Sequence, residues 1–289
     1  MHLWFPLLSS FLYVLTLFAS QAANRRGVGP LAVTLASNVA LAIAFAPFWW
    51  LGGPTPPVSQ WWVPVLVAAF CNGGMALTYA AVSVGDVSVA APVFGMKVVF
   101  VTIILSVVDR PPPPAVWAAA VLATAGVVVI QWTGAADRRR TLMTVAIALA
   151  AAASYAAFDT SLQMFARRWP PGRLLPMTYA CVLAMTIPLA WFVDRSKLGW
   201  SAGGRYVAAA AVLFVIQAMG IAGVIVLVGD AAGVNVVYSL RGLWGVALAY
   251  GLSRRIGGAE ANLTRGQFAQ RLVGASMLSI AVALVVWVR

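Results

Sequence analysis

Apolar stretches of about 20 residues recur along the entire sequence, and few charges interrupt them. Only 9% of the residues are charged, against about 25% in a soluble domain, so a water-facing surface cannot be covered. This excludes an ordinary globular enzyme, a disordered chain and a disulfide scaffold. A helix of roughly 20 residues spans the hydrocarbon core, and the chain of 289 residues accommodates ten of them with short loops. The pattern therefore predicts an all-α polytopic membrane protein with spans at 3–22, 29–51, 61–83, 88–108, 114–133, 141–166, 174–193, 206–228, 232–252 and 267–288. The breaks carry Asn24-Arg25-Arg26-Gly27, Gly52-Gly53-Pro54-Thr55-Pro56-Pro57, Asp109-Arg110 with Pro111 to Pro114, and Asp137-Arg138-Arg139-Arg140. Tryptophans such as Trp49, Trp50, Trp61, Trp62, Trp132, Trp191 and Trp287 gather at the expected ends, as in an interfacial belt.

A net charge of +12 would suggest nucleic acid in a soluble protein. In a membrane protein, loop arginines set topology and meet anionic head groups, so the expected partners are the bilayer and a small molecule, not nucleic acid. Cys71 and Cys181 lie within apolar spans without metal-ligand spacing, and the single histidine, His2, leaves no cluster for a metal. No cofactor is expected. The first span lacks a basic leader and a cleavage site and is read as a retained helix.

Sliding the sequence by 144 residues superimposes spans two to four on spans seven to nine, with sixteen of the eighty positions from Leu31 to Arg110 identical. Val84-Gly85-Asp86 falls on Val228-Gly229-Asp230, and Lys97 falls on Arg241. Five spans per half is odd, so the second half would enter the membrane inverted: residues 1–136 and 137–289 are expected as two inverted five-helix repeats. Such repeats are common in secondary transporters, with the substrate site between the halves near the midplane.

The stretch Ala76-Leu77-Thr78-Tyr79, followed by Val87-Ser88-Val89-Ala90-Ala91-Pro92-Val93, resembles the junction of spans three and four in EamA-type members of the drug/metabolite transporter superfamily. Arg26-Gly27-Val28-Gly29-Pro30-Leu31-Ala32-Val33-Thr34 is similar to the segment after their first helix. The resemblance covers the chain as a five-plus-five repeat and specifies fold better than substrate. Asp109 stands where many relatives carry Gly-Glu. Lys97 is also similar in placement to the span-four lysine of nucleotide-sugar transporters, and triose-phosphate translocators hold phosphate with intramembrane basic residues. That likeness extends to Lys97 and, through the repeat, to Arg241.

A cation within a bilayer costs several kcal/mol unless it faces a cavity or a partner. Lys97 and Arg241, at matching places in opposite halves, suggest a shared anion site; if not, each is held by carbonyls or a local acid. Asp159, the only acid well inside a span, is a candidate counter-ion or coupling group. Asn72, Tyr79, Asn235 and Tyr238 are candidate substrate contacts, with Tyr155, Gln163 and Gln217 as further polar residues on the path; helix-to-helix hydrogen bonding is the plainer role for each. Asp86 and Asp230 follow glycines and precede helices, so they read as N-caps at a hinge. Gly73-Gly74 and Gly242 with Gly245 read as close-packing surfaces. Arg271 is expected to snorkel to the interface.

Loop charge and family resemblance disagree on orientation. Eleven Lys and Arg lie on the side opposite the termini and five on the terminal side. The positive-inside rule would put the termini outside, whereas the resemblance implies cytoplasmic termini in the cell membrane. The expectation is a secondary transporter of a small organic anion, phosphorylated or carboxylated, working by alternating access. The alternatives are an exporter of neutral or cationic amino acids or drugs, and a lipid flippase. A homodimer is left open, since small-residue faces serve either packing.

Overall fold

The computed structural model describes residues 4–108, 114–131, 138–229, 231–256 and 264–287. Asp109, Pro111 to Pro113, Asp137 and Asp230 lie outside them. Among the described residues the secondary structure is entirely helical. The α-helices are α1 (Trp4–Asn24), α2 (Pro30–Phe45), α3 (Trp62–Val84), α4 (Val87–Phe94), α5 (Lys97–Val108), α6 (Pro114–Gln131), α7 (Arg138–Phe165), α8 (Pro171–Thr186), α9 (Arg205–Val228), α10 (Ala231–Tyr238), α11 (Arg241–Ile256) and α12 (Arg265–Trp287). Helices satisfy their own backbone, which is the requirement hydrocarbon imposes. Serine and threonine follow suit: Thr16, Thr34, Thr160 and Thr186 each donate to the carbonyl four residues back.

Among the described residues, seven segments are long and apolar enough to cross a membrane: Trp4–Asn24, Pro30–Leu51, Val58–Val84, Val87–Val107, Arg138–Phe165, Pro171–Phe192 and Arg205–Val228. The chain is a membrane protein with multiple apolar helices. Its outside is apolar as well: Trp50, Trp191 and Trp287 are 85%, 83% and 90% exposed. The buried core holds Tyr13, Leu17, Phe45, Met75, Tyr79, Phe94 and Trp169.

Two expected spans are broken. Segment 88–108 divides into α4 and α5 at Gly95-Met96, and segment 232–252 into α10 and α11 at Ser239-Leu240. Pro92, inside α4, has no amide hydrogen to donate to the turn before it, and the chain tightens after it: Gly95 N donates to Pro92 O and Met96 N to Val93 O, three residues back. Each break ends where a basic residue begins the next helix, Lys97 for α5 and Arg241 for α11. Ala231 stands 144 residues after Val87, Tyr238 after Phe94, and Arg241 after Lys97, so the bounds of both half-helices keep the sequence offset.

Packing partners keep it too. α3 packs on α7 and α9 on α1, while α8 packs on α3 and α2 on α9. α2 and α8 run antiparallel: Asn38 bonds Thr186, Phe45 stacks on Tyr179 at 4.1 Å, and Gly172 lies against the Phe48 carbonyl. α6 and α12 do the same, with Gly126 against the Gly274 carbonyl and Gln270 donating to Val129 O. Glycines set the close approaches. A Cβ on Gly74 would stand 2.8 Å from the Tyr155 ring, and one on Gly242 3.1 Å from Pro92 Cα.

Candidate functional site

Lys97 at the start of α5 and Arg241 at the start of α11 face a common cavity with residues of α1, α7 and α9. Lys97 and Arg241 are 4% and 2% exposed, and both line one cavity. Lys97 Nζ lies 2.5 Å from Asp159 Oδ2 on α7. Asn235 Nδ2 on α10 donates to the same oxygen at 2.6 Å and to Ala231 O at 2.8 Å. Asp159 Oδ1 is buried and has no hydrogen-bond partner among the described residues. The lysine is thus matched by an acid that is itself steered by an amide.

Arg241 is held differently. Its Nη2 donates to the carbonyl of Phe94, the last residue of α4, and its guanidinium lies over the rings of Tyr238 at 4.4 Å and Tyr13 at 4.9 Å. Among the described residues no carboxylate pairs with it, and its buried Nε has no partner. Tyr238 donates its hydroxyl to Gln217 Oε1 at 2.7 Å. Lys97 Nζ lies 5.5 Å from the Tyr155 ring centroid and 5.6 Å from that of Tyr238. The cavity walls are otherwise apolar and aromatic, with Phe158, Tyr179 and Phe214 among them. The free space is about 40 Å³, which holds a few water molecules.

The other residues singled out in the sequence go elsewhere. Asn72 does not line the cavity: it accepts from Asn38 and Thr186 at 2.6 and 3.0 Å and donates to Val182 O, tying α3 to α2 and α8. Tyr79 also stays out, its hydroxyl 2.9 Å from Ser37 Oγ. Gln163 accepts from the Ala231 amide at the head of α10. Asp86 occupies the N-cap position of α4 but makes no side-chain cap bond. Its carboxylate faces Arg271 Nη2 at 3.7 Å, drawn by the charge on α12. Arg271 in turn does not snorkel: it is 4% exposed and donates to Ser88 Oγ. Asp230 lies outside the described residues. Gly73 and Gly74 face Ser154 and Tyr155, and Gly242 and Gly245 face Pro92 and Ala91. The sequence reading missed Tyr13, Phe158, Tyr179 and Phe214, because an aromatic in an apolar span looks like any core residue.

Residues 1–132 match the model of the EamA-like transporter family, which contains Lys97, Phe94 and Tyr13. Over that stretch, a little under half of its length, the chain is similar to the EamA-like transporter family. The match is consistent with the drug/metabolite transporter superfamily and points to a membrane transporter. No curated protein matches the chain. A crystal structure at 16% identity superposes on this chain with a TM-score of 0.60, covering 97% of this chain and 96% of that one. At that identity the likeness speaks for the fold alone.

Proposed function

We propose that this EamA-like protein is a secondary transporter that moves a small organic anion by alternating access, with Lys97 and Arg241 as its anion-binding groups. The observation that carries the reading is the charge of the cavity: two buried cations from segments 144 residues apart line it with one described carboxylate, Asp159, which pairs with Lys97 and not with Arg241. A buried cation without an acid is costly, and an incoming anion relieves that cost. Arg241 offers a planar fork to a carboxylate or phosphate, and Lys97 a point charge. Asp159 is the counter-ion that holds Lys97 while the site is empty. Asn235 steers Asp159, and Tyr238 fixes the face on which Arg241 lies.

The same proposal takes the chain as ten spans in two inverted five-helix repeats, residues 1–136 and 137–289, forming one membrane domain with both termini on the cytoplasmic side of the cell membrane. Three features support inversion: the half-helix bounds that keep the 144-residue offset, the exchange of packing partners between α1, α3, α7 and α9, and the antiparallel pairs α2–α8 and α6–α12. The narrow cavity agrees with a closed state that must rock open.

Thermal unfolding of the detergent-purified protein against carboxylates, sugar phosphates, amino acids and organic cations tests the reading. A ligand at about 100 times its Kd adds roughly 2.7 kcal/mol to the folded state. Stabilisation by anions in the wild type, lost in Lys97→Gln and Arg241→Gln, is the expected outcome. Stabilisation by neutral or cationic compounds alone, unchanged in both variants, would falsify it and favour the exporter.

A further inference from the structure

We infer that the cavity selects a monoanion on an apolar, ring-bearing body, of the arylacetate kind, over a dianion, a zwitterion or a phosphorylated polyol; this rests on the reading of the cavity as an anion-transport site. The argument begins with a charge count. Among the described lining residues the charged groups are Lys97, Arg241 and Asp159, a formal sum of +1. The position facing Lys97 is taken, because Asp159 Oδ2 lies 2.5 Å from Nζ and is fixed by Asn235. The position facing Arg241 is not taken by any described carboxylate, and Nε of that guanidinium is buried without a partner. One negative charge therefore brings the buried site to zero. A second would leave it at −1, and a neutral body would leave it at +1, both costly away from water. A zwitterion adds an ammonium beside Lys97 and leaves the sum at +1.

The body follows from the walls. Tyr13, Tyr155, Phe158, Tyr179, Phe214 and Tyr238 present six rings, backed by aliphatic side chains such as Leu41 and Ile221. Polar partners for several hydroxyl groups are few: Gln217 Oε1 already accepts from Tyr238, and among the described lining residues the buried side-chain polar atoms without a partner are the Tyr155 hydroxyl, Asp159 Oδ1 and Arg241 Nε, the last of which the anionic group would take. The several hydroxyls of a sugar phosphate would surrender more water than these atoms replace, whereas a ring stacks on rings at no such cost. Asp159 thus acts as a built-in second anion. It sets the charge the substrate must bring.

A series sharing one phenyl body tests this by calorimetry on the purified chain in nanodiscs: phenylacetate, phenylacetamide, phenylalanine, phenethylamine and homophthalate, with glucose 6-phosphate as the polyol. Phenylacetate is expected to bind at least about tenfold tighter than each of the others. Asp159→Asn raises the count to +2, and the homophthalate-to-phenylacetate affinity ratio is expected to rise by about tenfold or more. The double variant Lys97→Gln/Asp159→Asn returns the count to +1 and should restore the wild-type order at reduced affinity. It carries the test if Asp159→Asn alone fails to fold. Tightest binding of homophthalate or glucose 6-phosphate to the wild type, abolished by Arg241→Gln, would overturn the charge count and leave the anion site standing. Preference for phenylacetamide or phenethylamine, indifferent to Arg241→Gln, would overturn both. No binding of phenylacetate at millimolar concentration to folded protein overturns the inference as well.

Discussion

Arg241 fills two roles with one guanidinium: it closes the carbonyl of Phe94 at the α4 break and presents its remaining edge to the cavity between two tyrosine faces. A lysine keeps the charge but cannot keep the fork and the ring contact together. Arg241→Lys is therefore expected to fold and to lose about tenfold in anion affinity, read by calorimetry, which is roughly 1.4 kcal/mol. Asn72 and Asn235 supply the opposite contrast. Asn72→Ala removes a link between α2, α3 and α8 and should cost about 1–3 kcal/mol of stability with ligand preference unchanged. Asn235→Ala frees Asp159 and should change the preference itself. Lys97, Arg241 and Asp159 were legible in the sequence because a charge inside an apolar stretch has few physical excuses. Asn72 and Tyr79 lie outside the cavity lining for the complementary reason: a polar group between helices bonds a neighbour as readily as a ligand, and only the neighbour's position decides.

At the scale of elements, helix positions followed from apolar length, and α3, α9 and α12 begin and end within a few residues of expectation, while seven of the described segments, α12 not among them, are long and apolar enough to cross a membrane. The breaks did not follow. Pro92 marks the first in hindsight, while the Ser239-Leu240 break has no proline, and periodicity is blind to a two-residue interruption. Close packing gives a direct test. Gly74 has no room for a Cβ against the Tyr155 ring, so Gly74→Ala must part α3 from α7 or push that ring into the cavity. A loss of about 1–3 kcal/mol in stability and slower transport are expected, measured by thermal unfolding and proteoliposome flux. Outside the spans, Asp194 caps the 3₁₀ turn Arg195–Leu198. Hydrogen bonds from the Ser196 hydroxyl and amide hold its carboxyl below the ordinary value of 3.8. A depressed folded value means the cap is fully effective above that ordinary value and is lost as pH falls through the lower folded one. Hydrogen exchange in residues 195–198 should therefore lose its protection, after correction for intrinsic rates, only under acid.

At the scale of the whole molecule, the Arg271–Asp86 pair with Ser88 joins α12 to the α3–α4 junction, outside the lining of the cavity. If the proposed halves rock, this contact is among those that must yield. Arg271→Gln is expected to favour the open arrangement, so that Cys71, buried at the cavity wall, reacts several-fold faster with a membrane-permeant maleimide in a Cys181→Ser background. An unchanged rate would show that the pair only supports packing. The central ion pair carries a consequence of another kind, for the birth of the protein. Lys97 leaves the ribosome 62 residues ahead of Asp159, so at about 5–20 residues per second it waits for seconds without its acid. During that interval α4 and α5 hold a lone cation that hydrocarbon rejects, and they settle fully only when α7 arrives. Insertion is thus ordered by the pair, and loss of Asp159 should first be felt as a smaller yield of membrane-integrated chains.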